Sequence, residues 1–246
     1  MSAENETVML ALDNVSLSYH TGREQFDHGS HHVLNRVSLK VYEGETLGII
    51  GRNGVGKSTL LRLMSGILAP TDGEVYQHPG KSCALLTLGL GFRPDLSGRN
   101  NAKLAAMLQG ASEEEAQSHL EEIKAFSELG DSFEEPVKTY SSGMRARLGF
   151  TTALKTHVDI LLIDEVLSVG DAQFRQKAAQ AMRKRIKSEQ TVVFVSHMEA
   201  QIRRICNRAI YLDAGHIVAE GEPKEVMRAY RRAARGDAPA RRQKKD

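Results

Sequence analysis

The chain has 246 residues, 41% of them apolar, with 33 basic and 31 acidic residues and a net charge of +2. That length suits one large core or two lobes sharing a core. With no run of about 18 apolar residues, the sequence predicts no membrane span. The opening MSAENETVML is acidic and lacks a signal-peptide pattern. Cys83 and Cys206 lack metal-ligand spacing and read as reduced packing residues of a cytosolic protein. Charge is uneven: Arg228 to Asp246 carries six Arg and two Lys against two Asp, a local +6 that leaves −4 on the rest. By charge the body is not a nucleic-acid binder, while the tail suits an anionic lipid surface, RNA, or a solvated disordered end.

In chain order, residues 7–19 alternate in places and read as an edge strand. Residues 21–32 are polar, with Gly22 and Gly29, and read as a loop. Its histidines His28, His31 and His32 fit no standard metal spacing. Strands are predicted over 33–43 and 45–50, with a turn at Glu43-Gly44. Gly51 to Thr59, GRNGVGKST, is a Gly-rich loop between a buried strand and a helix that opens on Leu60. Short strands follow at 74–77 and 82–87, then the flexible apolar loop Leu88-Gly-Leu-Gly-Phe92. From 93 to about 138 the pattern turns helical. Ser112 and Glu115 form a capping box. Ala116, Leu120, Ile123, Phe126 and Leu129 share one face, with Gly130 as the stop. A helix from Tyr140 to about Ala153 closes this helical insert. Apolar runs at 159–163 and 191–195, each bounded by polar residues, suit a parallel sheet buried on both faces. A hairpin over 210–219 and a helix over 223–232 complete the chain.

The Gly-rich loop matches G-x-x-x-x-G-K-[S/T] in a strand–loop–helix frame. Its backbone N–H groups and the helix N-terminus make an anion cradle. Gly54 and Gly56 let the backbone approach phosphate. Lys57 is placed to reach the β- and γ-phosphates, and the Ser58 hydroxyl to ligate Mg²⁺. Asp164 and Glu165 end an apolar strand, where ligands bind in open parallel sheets. Asp164 is the second candidate Mg²⁺ ligand, and Glu165 is placed to orient or deprotonate an attacking water. His197, just past the next strand, is placed to bond the γ-phosphate and that water. Ser141, Ser142 and Gly143 open a helix, a second anion site.

Taken together, these motifs resemble the ATP-binding cassette of ABC transporters over about residues 7–230. Gly51, Arg52, Asn53, Gly54, Val55, Gly56, Lys57, Ser58 and Thr59 correspond to the Walker A motif. Ile160–Asp164 with Glu165 corresponds to Walker B, Ser141–Gly143 to the signature, Ser168–Asp171 to the D-loop, and His197 to the switch histidine. The resemblance implies an α/β P-loop NTPase. It would have a RecA-like mixed, largely parallel core sheet, an N-terminal antiparallel β part and an inserted α-helical subdomain. The catalytic lobe would span 7–92 and 151–230, the helical subdomain 93–150, and a basic tail 231–246. It also implies ATP and Mg²⁺ as ligands and a homodimer with ATP sandwiched between the Walker A of one copy and Ser141 and Gly143 of the other. Tyr19 would stack on adenine, and Asp171 would lie at the nucleotide interface. A separate membrane permease would hold the cassette at the cytoplasmic face of the plasma membrane. Nucleic acid is not an expected partner, and no guanine-specifying N-K-x-D motif is present.

The sequence departs from the usual L-S-G-G-Q signature: Tyr140 replaces Leu, Ser142 the first Gly and Met144 the Gln. A Q-loop glutamine, expected near Thr87, is missing. Tyr140–Met144, the Leu88–Phe92 loop with Pro94–Gly98, and Glu165–Asp171 resemble cassettes of bacterial exporters of O-antigen, capsule or teichoic acid. Some relatives carry a C-terminal carbohydrate-binding domain, which is not expected in this chain.

Overall fold

The computed structural model describes residues 7–20, 30–86, 89, 91–164, 170–186 and 190–235. Its elements run β1 (Val8–His20), β2 (Ser30–Tyr42), β3 (Thr46–Ile50), α1 (Lys57–Met64), β4 (Asp72–Gln77) and β5 (Cys83–Leu86). The helical stretch follows as α2 (Gly98–Leu108), α3 (Glu113–Ser118), α4 (Leu120–Ser127) and α5 (Ser142–Lys155). Then come β6 (Ile160–Asp164), α6 (Ala172–Ile186), β7 (Thr191–Val195), α7 (Glu199–Ile205), β8 (Arg208–Asp213), β9 (His216–Gly221) and α8 (Pro223–Ala234). No described helix is long and apolar enough to cross a membrane.

Two sheets form. One is antiparallel, in the order β2-β1-β4; the other has six strands in the order β5-β6-β7-β3-β8-β9, parallel except where β9 returns beside β8. The edge-strand expectation for residues 7–19 is corrected, because β1 pairs with β2 on one side and β4 on the other. Its alternation reported one buried face, but the pairing partner β4 arrives only after the Gly-rich loop and α1.

β3 and β7 are buried along their whole length, as their unbroken apolar runs require of a sheet covered on both faces. Alternate residues feed opposite cores. Ile50, Ile163 and Phe194 pack with Phe150 of α5 and Phe174 of α6. Ile49, Leu162 and Val193 pack with Leu60 and Leu61 of α1 and with the antiparallel sheet. Helix α1 is thus held between the two sheets. That fixes the loop at its N-terminus at the C-terminal end of β3.

The helical stretch has its own core of Ala102, Leu120, Ile123, Phe133, Tyr140 and Leu148. The Ser112–Glu115 capping box forms with both hydrogen bonds present. The expected single helical face is corrected: it is split between α3 and α4, with His119 between them. Gly130 is not the stop. Glu128 ends α4 in the left-handed region at φ 58°, and Gly130 opens a 3-10 turn over Gly130–Glu134. Beyond this stop the chain still carries Leu129 and Phe133 into the core. α8 runs through Ala234, so the first residues of the expected tail are helical; residues 236–246 lie outside the described residues.

Candidate nucleotide site

The Gly-rich loop leaves buried β3 and re-enters structure at α1. Gly56 sits at φ 101°, a conformation L side chains rarely adopt, and a Cβ there would lie 3.0 Å from the Val33 carbonyl. At Gly51 a Cβ would come within 2.4 Å of the Leu212 carbonyl on β8. Glycine at these two positions is therefore a packing requirement. Among the described residues, no side chain caps the N-terminus of α1. Its first-turn N–H groups keep their capacity for an anion.

Lys57 is buried at 7% exposure. Its ammonium donates to the carbonyls of Gly51 at 3.0 Å and Arg52 at 2.9 Å, arching over the loop. A cavity of about 490 Å³ opens here, lined by Val33, Asn53, Gly54, Gly56–Thr59 and Asp164. Asp164 is the half-buried last residue of β6, and Ser58 is exposed on the first turn of α1. A hydroxyl and a carboxylate facing one cavity form an all-oxygen donor set, which suits Mg²⁺. The glycine cradle, the uncapped helix end and the lysine fit a nucleotide phosphate chain.

Among the described residues, His197, Tyr19, Ser141–Gly143 and Asp171 are not part of the lining of this cavity. His197 is exposed, one residue beyond the buried Ser196 at the end of β7. Ser196 fixes that turn: its N–H donates to the Ile49 carbonyl at 3.2 Å, and its hydroxyl accepts from the Met198 N–H at 3.0 Å. Tyr19 is 42% exposed, on β1. Glu165, Ser168, Thr87 and His28 lie outside the described residues. His32 has a local partner, its Nδ1 lying 2.6 Å from the Ser18 hydroxyl.

Ser141 is the N-cap of α5, its hydroxyl accepting from the Met144 N–H at 3.2 Å. Ser141 and Ser142 are exposed and Gly143 half-buried. None of the three lines the Lys57 cavity of the same chain. Asp171 accepts from the Phe174 N–H at 2.9 Å at the start of α6 and also takes the guanidinium of Arg147 from α5. The N–H groups at this helix start, together with Arg147, hold its carboxyl below the usual range.

Sequence reasoning missed Arg147, Asn101 and Arg185. Asn101 is fully buried; its amide donates to the carbonyls of Arg93, Leu96 and Ser97 and accepts from the Arg93 N–H, pinning the Arg93–Ser97 loop. A lone Asn in an otherwise apolar helical face was the available signal. Arg185, from α6, donates to the carbonyls of Ala153, Leu154 and Thr156 and closes the C-terminus of α5.

Residues 34–168 match the family described as "ABC transporter". The O-antigen export system ATP-binding protein RfbB of Myxococcus xanthus is 45% identical over 200 residues, 81% of this chain and 46% of that protein. RfbB of Klebsiella pneumoniae is 43% identical over 200 residues, 81% of each chain. The teichoic acids export ATP-binding protein TagH of Enterococcus faecalis is 43% identical over 198 residues, 80% of this chain and 44% of that one. The chain thus spans about half the length of some relatives and most of others. Among solved structures, a dimeric ATP-binding cassette in a post-hydrolysis state, bound to ADP and Pi, superposes with TM-score 0.71. It is 27% identical and covers 87% of this chain and 99% of its own. The cradle geometry, the mixed sheet with its helical insert and these matches agree: the chain belongs to the ABC transporter family, as the ATP-binding cassette of its ATP-hydrolysing subunits.

Proposed function

We propose that two copies of this chain pair head to tail and hydrolyse ATP to drive export of a lipid-linked polysaccharide. The permease would be a separate membrane protein at the cytoplasmic face of the plasma membrane. One observation carries the dimer: Ser141–Gly143 present an exposed, capped helix N-terminus that takes no part in the phosphate cavity of its own chain. A second copy supplies a cavity for it to close. The dimeric cassette structures similar to this chain support the same arrangement, and the export roles in the names of RfbB and TagH support the cargo class.

In this reading Gly51–Thr59 wrap the phosphates, and Lys57 exchanges its two carbonyl partners for β- and γ-phosphate oxygens. Ser58 and Asp164 would hold Mg²⁺, which neutralises phosphate charge when bound. Glu165 orients the attacking water and takes its proton as oxygen bonds to the γ-phosphorus and the bond to ADP breaks. His197 hydrogen-bonds the γ-phosphate, and Tyr19 stacks on adenine. Asp171, gripped by Arg147, ties the helix carrying the signature to α6. Residues 7–92 and 151–230 act as the catalytic lobe and 93–150 as the helical subdomain that pushes on the permease. The basic tail adds contact with anionic lipid.

The test is made in the source cell carrying Glu165→Gln. Lipid-linked polysaccharide is expected to accumulate inside while surface glycan falls. Unchanged surface glycan would sink the polysaccharide reading and leave the ATPase standing.

A further inference from the structure

A second concavity lies away from the nucleotide site. It measures about 880 Å³ and runs between Phe126 of α4, one face of α6, and Arg204 and Ile205 of α7. Its floor is apolar (Phe126, Ala181, Ile205), and its walls carry Lys177, Arg183, Lys184 and Arg204. α6 has five basic residues and no acid, although the chain before Arg228 is net acidic. Lys177 is already engaged: it lies over the Phe126 ring at 4.4 Å and pairs with Glu128 at 2.6 Å. Among the described residues, no acid pairs with Arg183, Lys184 or Arg204. Neutral glutamines 176 and 180 complete the rim.

A solvated basic helix face needs no groove and no apolar floor. A flat lipid surface would meet the cations but not the floor, and a nucleic-acid backbone would leave the floor unused. An extended or helical segment alternating acidic and apolar side chains satisfies both. We propose that this groove is a docking site for an acidic, partly apolar peptide segment of a partner protein, seated across α4, α6 and α7. Because α4 belongs to the helical stretch and α6 and α7 to the six-stranded sheet, one occupant would touch both. The inference does not depend on the transported substrate.

The probe is a fluorescein-labelled 14-residue peptide alternating Glu with Leu and Phe, followed by polarisation. Binding is expected to weaken with salt and to fall at least about tenfold in the Lys184→Glu, Arg204→Glu double variant. A Lys-for-Glu version of the peptide should not bind. Fluorescent ATP analogue binding, unchanged in the variant, shows that the fold and the nucleotide site are intact. Hydrogen exchange on the unaltered chain gives a second reading, with peptide-induced protection expected over residues 176–184. Equal affinity for the double variant, or protection confined to other segments, overturns the proposal. So does binding of phosphatidylserine vesicles or of an oligonucleotide by a chain that ignores the peptide.

Discussion

Gly98 makes room for Tyr140: a Cβ at residue 98 would lie 2.2 Å from the tyrosine hydroxyl and 2.9 Å from the Phe133 carbonyl. That hydroxyl donates to the Ser132 carbonyl at 2.5 Å, and burial pushes its pKa up to about 12. The tyrosine before the signature serine and the glycine that closes the Pro94–Gly98 loop are thus one packing unit.

Gly98→Ala is expected to destabilise the protein by about 1–3 kcal/mol through overpacking. Adding Tyr140→Leu should return part of that loss, because the shorter side chain vacates the clash. Urea unfolding of the two single variants and the double gives the coupling; strict additivity would show that the two positions are independent.

Lys57→Ala removes the ammonium that now rests on the Gly51 and Arg52 carbonyls. ATP affinity should fall about 30-fold or more, as expected for losing a charge-assisted bond to phosphate. Titration with a fluorescent ATP analogue measures it. Stability without nucleotide should move much less.

Arg185 is the C-terminal clamp of α5, and burial holds its pKa down to about 10. Arg185→Met keeps much of the side-chain volume but leaves the Ala153, Leu154 and Thr156 carbonyls short of a donor. The expected cost is about 3 kcal/mol. Thermal unfolding reads the loss, and Arg185→Lys should recover only part of it because one ammonium cannot serve all three carbonyls.

Glu134 tests the helical stretch by pH. Hydrogen bonds from Arg99, which outweigh the opposing desolvation, and then from Lys124 lower its pKa to about 2. A folded pKa below the unfolded one means its contribution is present above the ordinary carboxylate range and lost as pH falls through about 2. An NMR titration should place it there, and Arg99→Gln should return it toward the ordinary range.

Much of the fold was legible because it is written in local patterns. The apolar runs of β3, β6 and β7, the capping box at Ser112, and the Gly-rich loop each carry their own signal over a few residues. What was missed depends on distant pairing. β1 reads like an edge because β4, its second neighbour, begins at Asp72. Glu128 ends α4 in the left-handed region although nothing in its side chain demands it, so the local pattern carries no sign of the stop. Arg147 and Arg185 look like ordinary surface charges until α5 and α6 are packed side by side. In the site, Asn53, Gly54, Gly56–Thr59 and Asp164 were legible because the residues that line the cavity are themselves members of the motifs. Gly51 needed the structure to show why glycine is required, since the blocking atom, the Leu212 carbonyl, comes from the other end of the chain.

The measurement closest to the central claim is the mass of the Glu165→Gln protein in solution by light scattering, with and without ATP and Mg²⁺. A nucleotide site completed by a second copy predicts a shift from one chain to two on adding ATP, with two nucleotides retained. Ser141→Arg in the same background should abolish the shift while leaving ATP binding to the single chain. A protein that stays monomeric with ATP, and whose unmutated form hydrolyses ATP at a rate independent of its concentration, would contradict the shared site.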